Sequence, residues 1–161
     1  MSRHIALIAG SSQQNSQSAK VAYWLAASLQ ARDCETSVIE LGQQPLPLWP
    51  EADSNGVWPA ISATLRSADA LVVISPEWHG MASPALKNLF MYAGRAELAH
   101  KPALLVGVSG GQGGSYPLAE LHASSYKNCR ICYLPEHLIV RNVEQVMNPG
   151  EPTSEDDLRI R

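Results

Sequence analysis

Three short segments hold most of the residues whose chemistry invites a question. The first is GSSQQNSQS, Gly10 to Ser18. It offers hydroxyls from Ser11, Ser12, Ser16 and Ser18, amides from Gln13, Asn15 and Gln17, and backbone N–H groups where a helix begins. Those N–H groups and the helix dipole point at any anion placed there, so the segment suits a phosphate. No GK[ST] follows and no GxGxxG is present, so a single terminal phosphate fits better than a triphosphate or a dinucleotide pyrophosphate. A polar turn that simply caps the helix accounts for the same residues equally well.

The second segment is PEWHGMAS, Pro76 to Ser83. Trp78 has the flat face to cover a ring, and the backbone of Pro76 to Gly80 can address polar ring atoms. Ser83 and Pro84 are a good helix cap and first residue, so the loop is held firmly against the next helix. Packing in a core or an interface is the plain alternative for Trp78. For His79 it is a surface or structural role, because the sequence places no carboxylate or serine beside it. The third segment, SGGQGGS from Ser109 to Ser115, has glycine pairs on either side of Gln112. Glycine permits close backbone approach to a ligand, and it equally makes a flexible turn. No GxSxG elbow is present, which disfavours an α/β-hydrolase, and no triad pattern is seen.

These segments sit between alternating elements. Apolar runs at His4 to Gly10, Thr36 to Leu41, Ala70 to Ser75 and Pro102 to Ser109 read as strands. A fifth is expected from Ile131 to Leu134 and Leu138 to Val140, bent near Pro135. Helical spacing marks Ser16 to Leu29, Trp58 to Leu65, Pro84 to Ala93 and Tyr116 to Tyr126. The strands are apolar throughout, as in a parallel sheet covered on both faces. Alternating β and α units therefore predict a doubly wound α/β fold with five parallel strands in the order 2-1-3-4-5. In such a sheet, ligands bind outside the carboxyl ends of the strands, where all three segments lie. A last helix starting near Ser154 has only about two turns before Arg161, so it is expected either to be cut short or to be a short frayed terminus.

The bulk composition narrows the function further. The 161 residues fit one domain, residues 1–161. Hydrophobic residues make up 45% and charged residues 17%, an ordered globular balance. The net charge of −3 and the lack of a basic tract argue against a nucleic-acid partner. No stretch reaches the roughly 20 apolar residues of a membrane span, and no signal peptide is apparent, so a cytoplasmic location is expected. Cys34, Cys129 and Cys132 make no disulfide framework. The lone CxxC of Cys129 and Cys132 lacks the further ligands zinc needs, so no metal is expected.

Taken together and in order, GSSQQNSQS, PEWHGMASPALKNLFMY and SGGQGG resemble the GSxRxxSxN, PEYNxSxPxxLKNxxDW and GGxxGG loops of the NADPH-dependent FMN reductase family. That is a flavodoxin-like group with quinone, chromate and azo-dye reductases among its members. PLPLWPEAD, from Pro45 to Asp53, is similar to the family's loop after the second strand. The resemblance implies a three-layer flavodoxin-like α/β/α sandwich that binds FMN. It implies that Ser11, Gln13, Ser16, Gln17 and Ser18 hold the FMN phosphate. Pro76, Glu77, Trp78 and His79 line the isoalloxazine ring, and Ser109, Gly110 and Gly111 close its other side. It further implies hydride transfer from NADPH or NADH through FMN to a small-molecule electron acceptor such as a quinone, a free flavin or an azo compound, in a homodimer or homotetramer. Three departures stand out. Gln13 replaces the family arginine, Trp78-His79 replaces Tyr-Asn, and Met91-Tyr92 replaces Asp-Trp. A non-enzymatic flavin-binding electron carrier or redox sensor, and a flavodoxin-like domain that has lost its cofactor, are the alternatives.

Overall fold

The computed structural model describes residues 2–160. Five strands form one parallel sheet: β1 (His4–Ala9), β2 (Glu35–Glu40), β3 (Ala70–Pro76), β4 (Pro102–Val108) and β5 (Cys132–Val140). Their order is β2-β1-β3-β4-β5, the flavodoxin-like order expected from the sequence. The switch point falls between β1 and β3, where Ile5 to Ala9 pair with Ala70 to Ile74.

Both faces of the sheet are buried at its central strands β1, β3 and β4, which is why these read as unbroken apolar runs, whereas the edge strands β2 (ETSVIE) and β5 (CYLPEHLIV) keep polar and exposed residues. Ala6 and Ile8 of β1, Leu71 and Val73 of β3, and Ala103 and Leu105 of β4 face one cluster. Helices α2 (Trp58–Ser67), α3 (Pro84–Tyr92), α4 (Arg95–Leu98) and α5 (Tyr116–Ala123) contribute Ile61, Leu65, Leu86, Leu89, Leu98 and Leu118 to it. The alternate residues Leu7, Ala9, Val72, Ile74, Val106 and Val108 face the other side. There they meet Val21 and Ala22 of α1 (Gln17–Gln30) and Val143, Val146 and Met147 from the chain after β5. No described helix is long and apolar enough to cross a membrane.

The elements depart from the sequence expectation in three places, each for a local reason. α5 stops at Ala123 and not at Tyr126, because the Ser124 and Ser125 hydroxyls donate back to the Glu120 and Leu121 carbonyls and compete with further turns. β5 joins its two expected segments into one strand, and the bend expected near Pro135 is present as a bulge. Ala103 pairs with Tyr133 and Leu105 with His137, so the step of two residues on β4 meets a step of four on β5, and the extra residues bulge outward. The four-residue α4 carries no periodicity to reveal it. It is held by buried Glu97, which accepts from the Gly94 N–H at 2.9 Å and the Ser62 hydroxyl at 2.8 Å.

The last helix, α6 (Glu155–Ile160), is anchored by Asp157. That fully buried carboxylate accepts from the N–H groups of Met147 at 2.7 Å and Thr153 at 3.0 Å.

Candidate functional site

The loops after β1, β3 and β4 meet at the carboxyl edge, and close backbone approach keeps them together. The Gly10 N–H donates to the Ile74 carbonyl at 2.8 Å, and a Cβ at Gly10 would stand 2.6 Å from that oxygen. Ser83 links the same two strand ends. Its hydroxyl donates to the Gly10 carbonyl and accepts from the Leu86 N–H at 3.1 Å, while its own N–H reaches the Ser75 hydroxyl at 3.2 Å. One buried side chain thus caps α3 and ties β1 to β3.

In the first loop, the Ser11 hydroxyl turns inward and accepts from the Gln13 N–H at 3.1 Å. Gly42 presses against the Gln13 backbone from the β2 side, with its missing Cβ only 2.2 Å from the Gln13 carbonyl oxygen. Asn15 takes a left-handed conformation with φ of 52°, and the chain enters α1 with Ser16 as N-cap, accepting from the Ala19 N–H at 3.1 Å. The first N–H groups of α1 have no partner within the helix. Ser18, in that first turn, is 1% exposed, and its hydroxyl has no partner among the described residues. A buried hydroxyl left unbonded is costly, and at a helix N-terminus an anion is the natural acceptor. The donors present therefore fit the phosphate of FMN. The nearest cation in sequence does not contribute. Lys20 donates to the Val143 and Val146 carbonyls and to Asn148 Oδ1, and burial lowers its pKa.

In the second loop, Trp78 and Met81 exchange backbone hydrogen bonds around a two-residue turn, with φ of 51° at His79 and 73° at Gly80. Positive φ at both central positions makes this a type I′ turn, which accepts Asn, Asp or Gly readily and His tolerably. His79 is thereby a turn residue with an exposed ring. Trp78 is 51% exposed, and it lines a cavity of about 310 Å³ with Ser12, Gln13, Met81, Ala82 and Pro84. This cavity brings Gln13 of the first loop and Trp78 of the second together. A neighbouring cavity of about 220 Å³ shares Ser12 and Pro84 and continues under Leu46 and Leu48. Its proline loop is latched by Asn88, which donates to the Pro47 carbonyl at 2.8 Å and accepts from the Trp49 N–H at 2.9 Å.

Ser109, Gly110 and Gly111 do not line the Trp78 cavity; they stand at the end of β4. Gly110 and Gly111 have open space where a Cβ would lie, and the Ser109 hydroxyl accepts from the Gly111 N–H at 3.2 Å. Glu77 connects this loop to the second one, and its carboxylate points away from the cavity. Glu77 Oε2 accepts from the Gly114 N–H at 2.6 Å and the Tyr116 N–H at 3.3 Å. A Cβ at Gly113 would meet Glu77 Oε1 at 2.6 Å, and one at Gly107 would meet the Gly114 carbonyl at 1.9 Å. The later glycines thus admit the carboxylate and the folded-back loop, and Gly110 and Gly111 keep open access.

A second carboxylate runs the opposite way. Glu120, on α5, accepts from the Ala82 N–H at 2.6 Å and pairs with Lys87. The sequence does not single out Glu120, Met81 or Asn88; of these only Asn88, within the LKN of the second loop, carries a signal. The Lys87 hydrogen bond pulls the Glu120 carboxyl below its ordinary range, burial opposes this, and the Ala82 N–H and the Lys87 charge add to it.

Replacing Glu77 by Ala should speed amide hydrogen exchange at Gly114 and Tyr116 by tenfold or more, the loss of about 1.5–3 kcal/mol per charged hydrogen bond. Glu77→Gln, which keeps a carbonyl oxygen, should restore part of the protection. Because Glu120 has a depressed folded pKa, its stabilisation is present above the ordinary carboxylate range and is lost as pH falls through the depressed value. Denaturant melts of wild type and Glu120→Gln should therefore converge at acidic pH and separate towards neutrality, with the wild type more stable.

A sequence profile described as NADPH-dependent FMN reductase matches residues 3–145. An NADPH azoreductase of Bacillus sp. (strain OY1-2) is 35% identical over 94 residues, covering 56% of this chain and 53% of that protein. An FMN-dependent NADPH-azoreductase of Staphylococcus aureus (strain USA300) is 30% identical over 125 residues, covering 71% of this chain and 65% of that protein. The chain thus spans between half and two thirds of the length of these curated relatives. Among solved structures, the NAD(P)H:(acceptor) oxidoreductase FerB from Paracoccus denitrificans superposes with a TM-score of 0.78 at 22% identity, over 98% of this chain and 90% of that one. The apo form of the NADH:FMN oxidoreductase EMOB gives 0.73 at 23% identity, over 88% and 76%. At these identities the two structures speak for the fold. The profile match over almost the whole chain, together with the three loops at the carboxyl edge of the sheet, assigns this chain to the NADPH-dependent FMN reductase family.

Proposed function

We propose that the chain is an FMN-dependent NAD(P)H oxidoreductase that reduces a small-molecule acceptor: an azo compound, a quinone or a free flavin. The observation that carries this reading is the buried, unpartnered Ser18 hydroxyl in the first turn of α1, the helix entered from the loop whose Ser12 and Gln13 line the Trp78 cavity. When bound, FMN accepts hydride from a reduced nicotinamide and passes the electrons on.

The residues of the chain bind and orient. The N–H groups at the start of α1 and the Ser16 and Ser18 hydroxyls take the phosphate, with Gln13 adding neutral donors. Trp78 and the backbone from Pro76 to His79 flank the ring on the β3 side. Gly110 and Gly111 let the β4 loop approach on the other. Glu77 and Glu120 keep the two loops at a constant separation, so little ordering opposes binding. Leu48 at 70% and Trp49 at 46% exposure, with Met91 also exposed on α3, favour a homodimer or homotetramer. Cys34, Cys129 and Cys132 are free thiols, which favours the reducing cytoplasm.

The purified protein should bind FMN with a flavin absorption band and should oxidise NADPH when a quinone or azo dye is added. Failure of both would reject the enzyme reading. Slow flavin reduction by NADPH in stopped flow, with tight FMN binding, would favour an electron carrier. Ser18→Glu should weaken FMN binding far more than riboflavin binding. Gln13→Arg should strengthen FMN binding about fivefold, since a charged hydrogen bond exceeds a neutral one by about 1 kcal/mol, and should leave riboflavin unchanged.

A further inference from the structure

A second cavity, of about 520 Å³, opens at the carboxyl end of β5 between the glycine loop and α6. Arg141 and Arg159 line it, with Asp156 as the opposing charge. Arg141 follows directly on β5 and donates through Nε to the Gly113 carbonyl at 3.1 Å. That bond orients the guanidinium and leaves both terminal amino groups without a protein partner among the described residues. Arg159 is held loosely, in an exposed pair with Glu155 on its own helix. Gln112 and Asn142 join at the rim at 3.4 Å, and Leu138, Val146 and Ile160 supply an apolar wall.

We propose that this cavity takes the 2′-phosphate of NADPH on the Arg141 fork, with Arg159 as the outer cation, and that Arg141 sets a preference for NADPH over NADH. The inference rests on the oxidoreductase reading above and names the nucleotide subsite within it. A planar guanidinium fixed through Nε presents two parallel donors that match a phosphate monoester, and it is already ordered before the ligand arrives. The apolar wall suits the face of a purine base. Gln112 belongs both to this cavity and to the glycine loop proposed to close over the flavin, so a dinucleotide with its nicotinamide at the ring has its distal end at a neighbouring strand. The phosphate of FMN is a poor candidate for the same fork. The sheet order sets β5 three strand spacings, about 14 Å, from the β1 end where α1 begins.

The test compares nucleotides in the FMN-loaded enzyme. Arg141→Ala should raise the ratio of KM for NADPH to KM for NADH at least tenfold, and Arg141→Lys should recover part of it. Wild type should bind 2′,5′-ADP more tightly than 5′-AMP, and Arg141→Ala should lose that preference. Arg159→Ala should shift the ratio in the same direction by less. If both KM values rise together, Arg141 supports the glycine loop only and the proposal fails. It fails equally if the ratio stays constant, or if Arg141→Ala weakens FMN but not riboflavin binding. If wild type oxidises neither nucleotide, the enzyme reading falls, while a 2′,5′-ADP preference that depends on Arg141 still upholds the subsite and its absence rejects it. Should Arg141→Ala not fold, the Arg141→Lys and Arg159→Ala ratios decide by the same criteria.

Discussion

The Glu77 carboxylate is the contact on which the carboxyl edge depends. It leaves the end of β3, crosses to the loop after β4, and receives the Gly114 and Tyr116 N–H groups. Charged hydrogen bonds of this kind are about twice as strong as neutral ones. The consequences spread outward. Gly113 has no side chain because the carboxylate occupies its place, and Gly107 has none because Gly114 folds down onto β4. Glu120 answers from α5 with the Ala82 N–H, so each loop is held by an acid belonging to the other's half of the edge. Ser83 then carries the linkage to β1 through the Gly10 carbonyl. Three loops far apart in sequence behave as one rim.

What could be read from the sequence was whatever is encoded locally. The parallel sheet and its order followed from unbroken apolar strands, because residues on alternate positions are buried on opposite faces. The Ser83 cap and Pro84 were legible because capping involves neighbours in the chain. The glycine loop could be placed, but the reason for its glycines could not. The partners of Gly113 and Gly107 are set by the β3–β4 register and by a side chain more than thirty positions away. Glu120 was invisible for the same reason, and so was the contact of the Glu77 carboxylate with the loop after β4. The cavity beside Arg141 could not be anticipated either, since Arg141 and Arg159 meet only once α6 is docked by Asp157.

The turn that begins α1 is built almost entirely from neutral donors. Gln13 stands where an arginine would add charge, and Lys20 is engaged with the segment after β5. An anion placed at this end would meet only the helix terminus and hydroxyls, whose pull depends on orientation and falls off within the first turn. At the other end of the edge the balance is reversed, with a guanidinium fixed on the glycine loop. The edge is therefore electrostatically uneven, with neutral donors beside β1 and, beside β5, two guanidinium groups with Asp156 as the opposing charge.

The left-handed backbone at His79 has a consequence for how this rim can vary over time. A residue with φ of 51° inside a two-residue turn is tolerated by few side chains, chiefly Gly, Asn, Asp and His. Position 79 is therefore an evolutionary bottleneck, open to small polar replacements and closed to branched ones. Its neighbour Trp78 is in a strand-like bridge and carries no such restriction. Drift in the chemistry presented at this mouth is channelled through position 78, while position 79 preserves the shape on which any new side chain would have to be mounted.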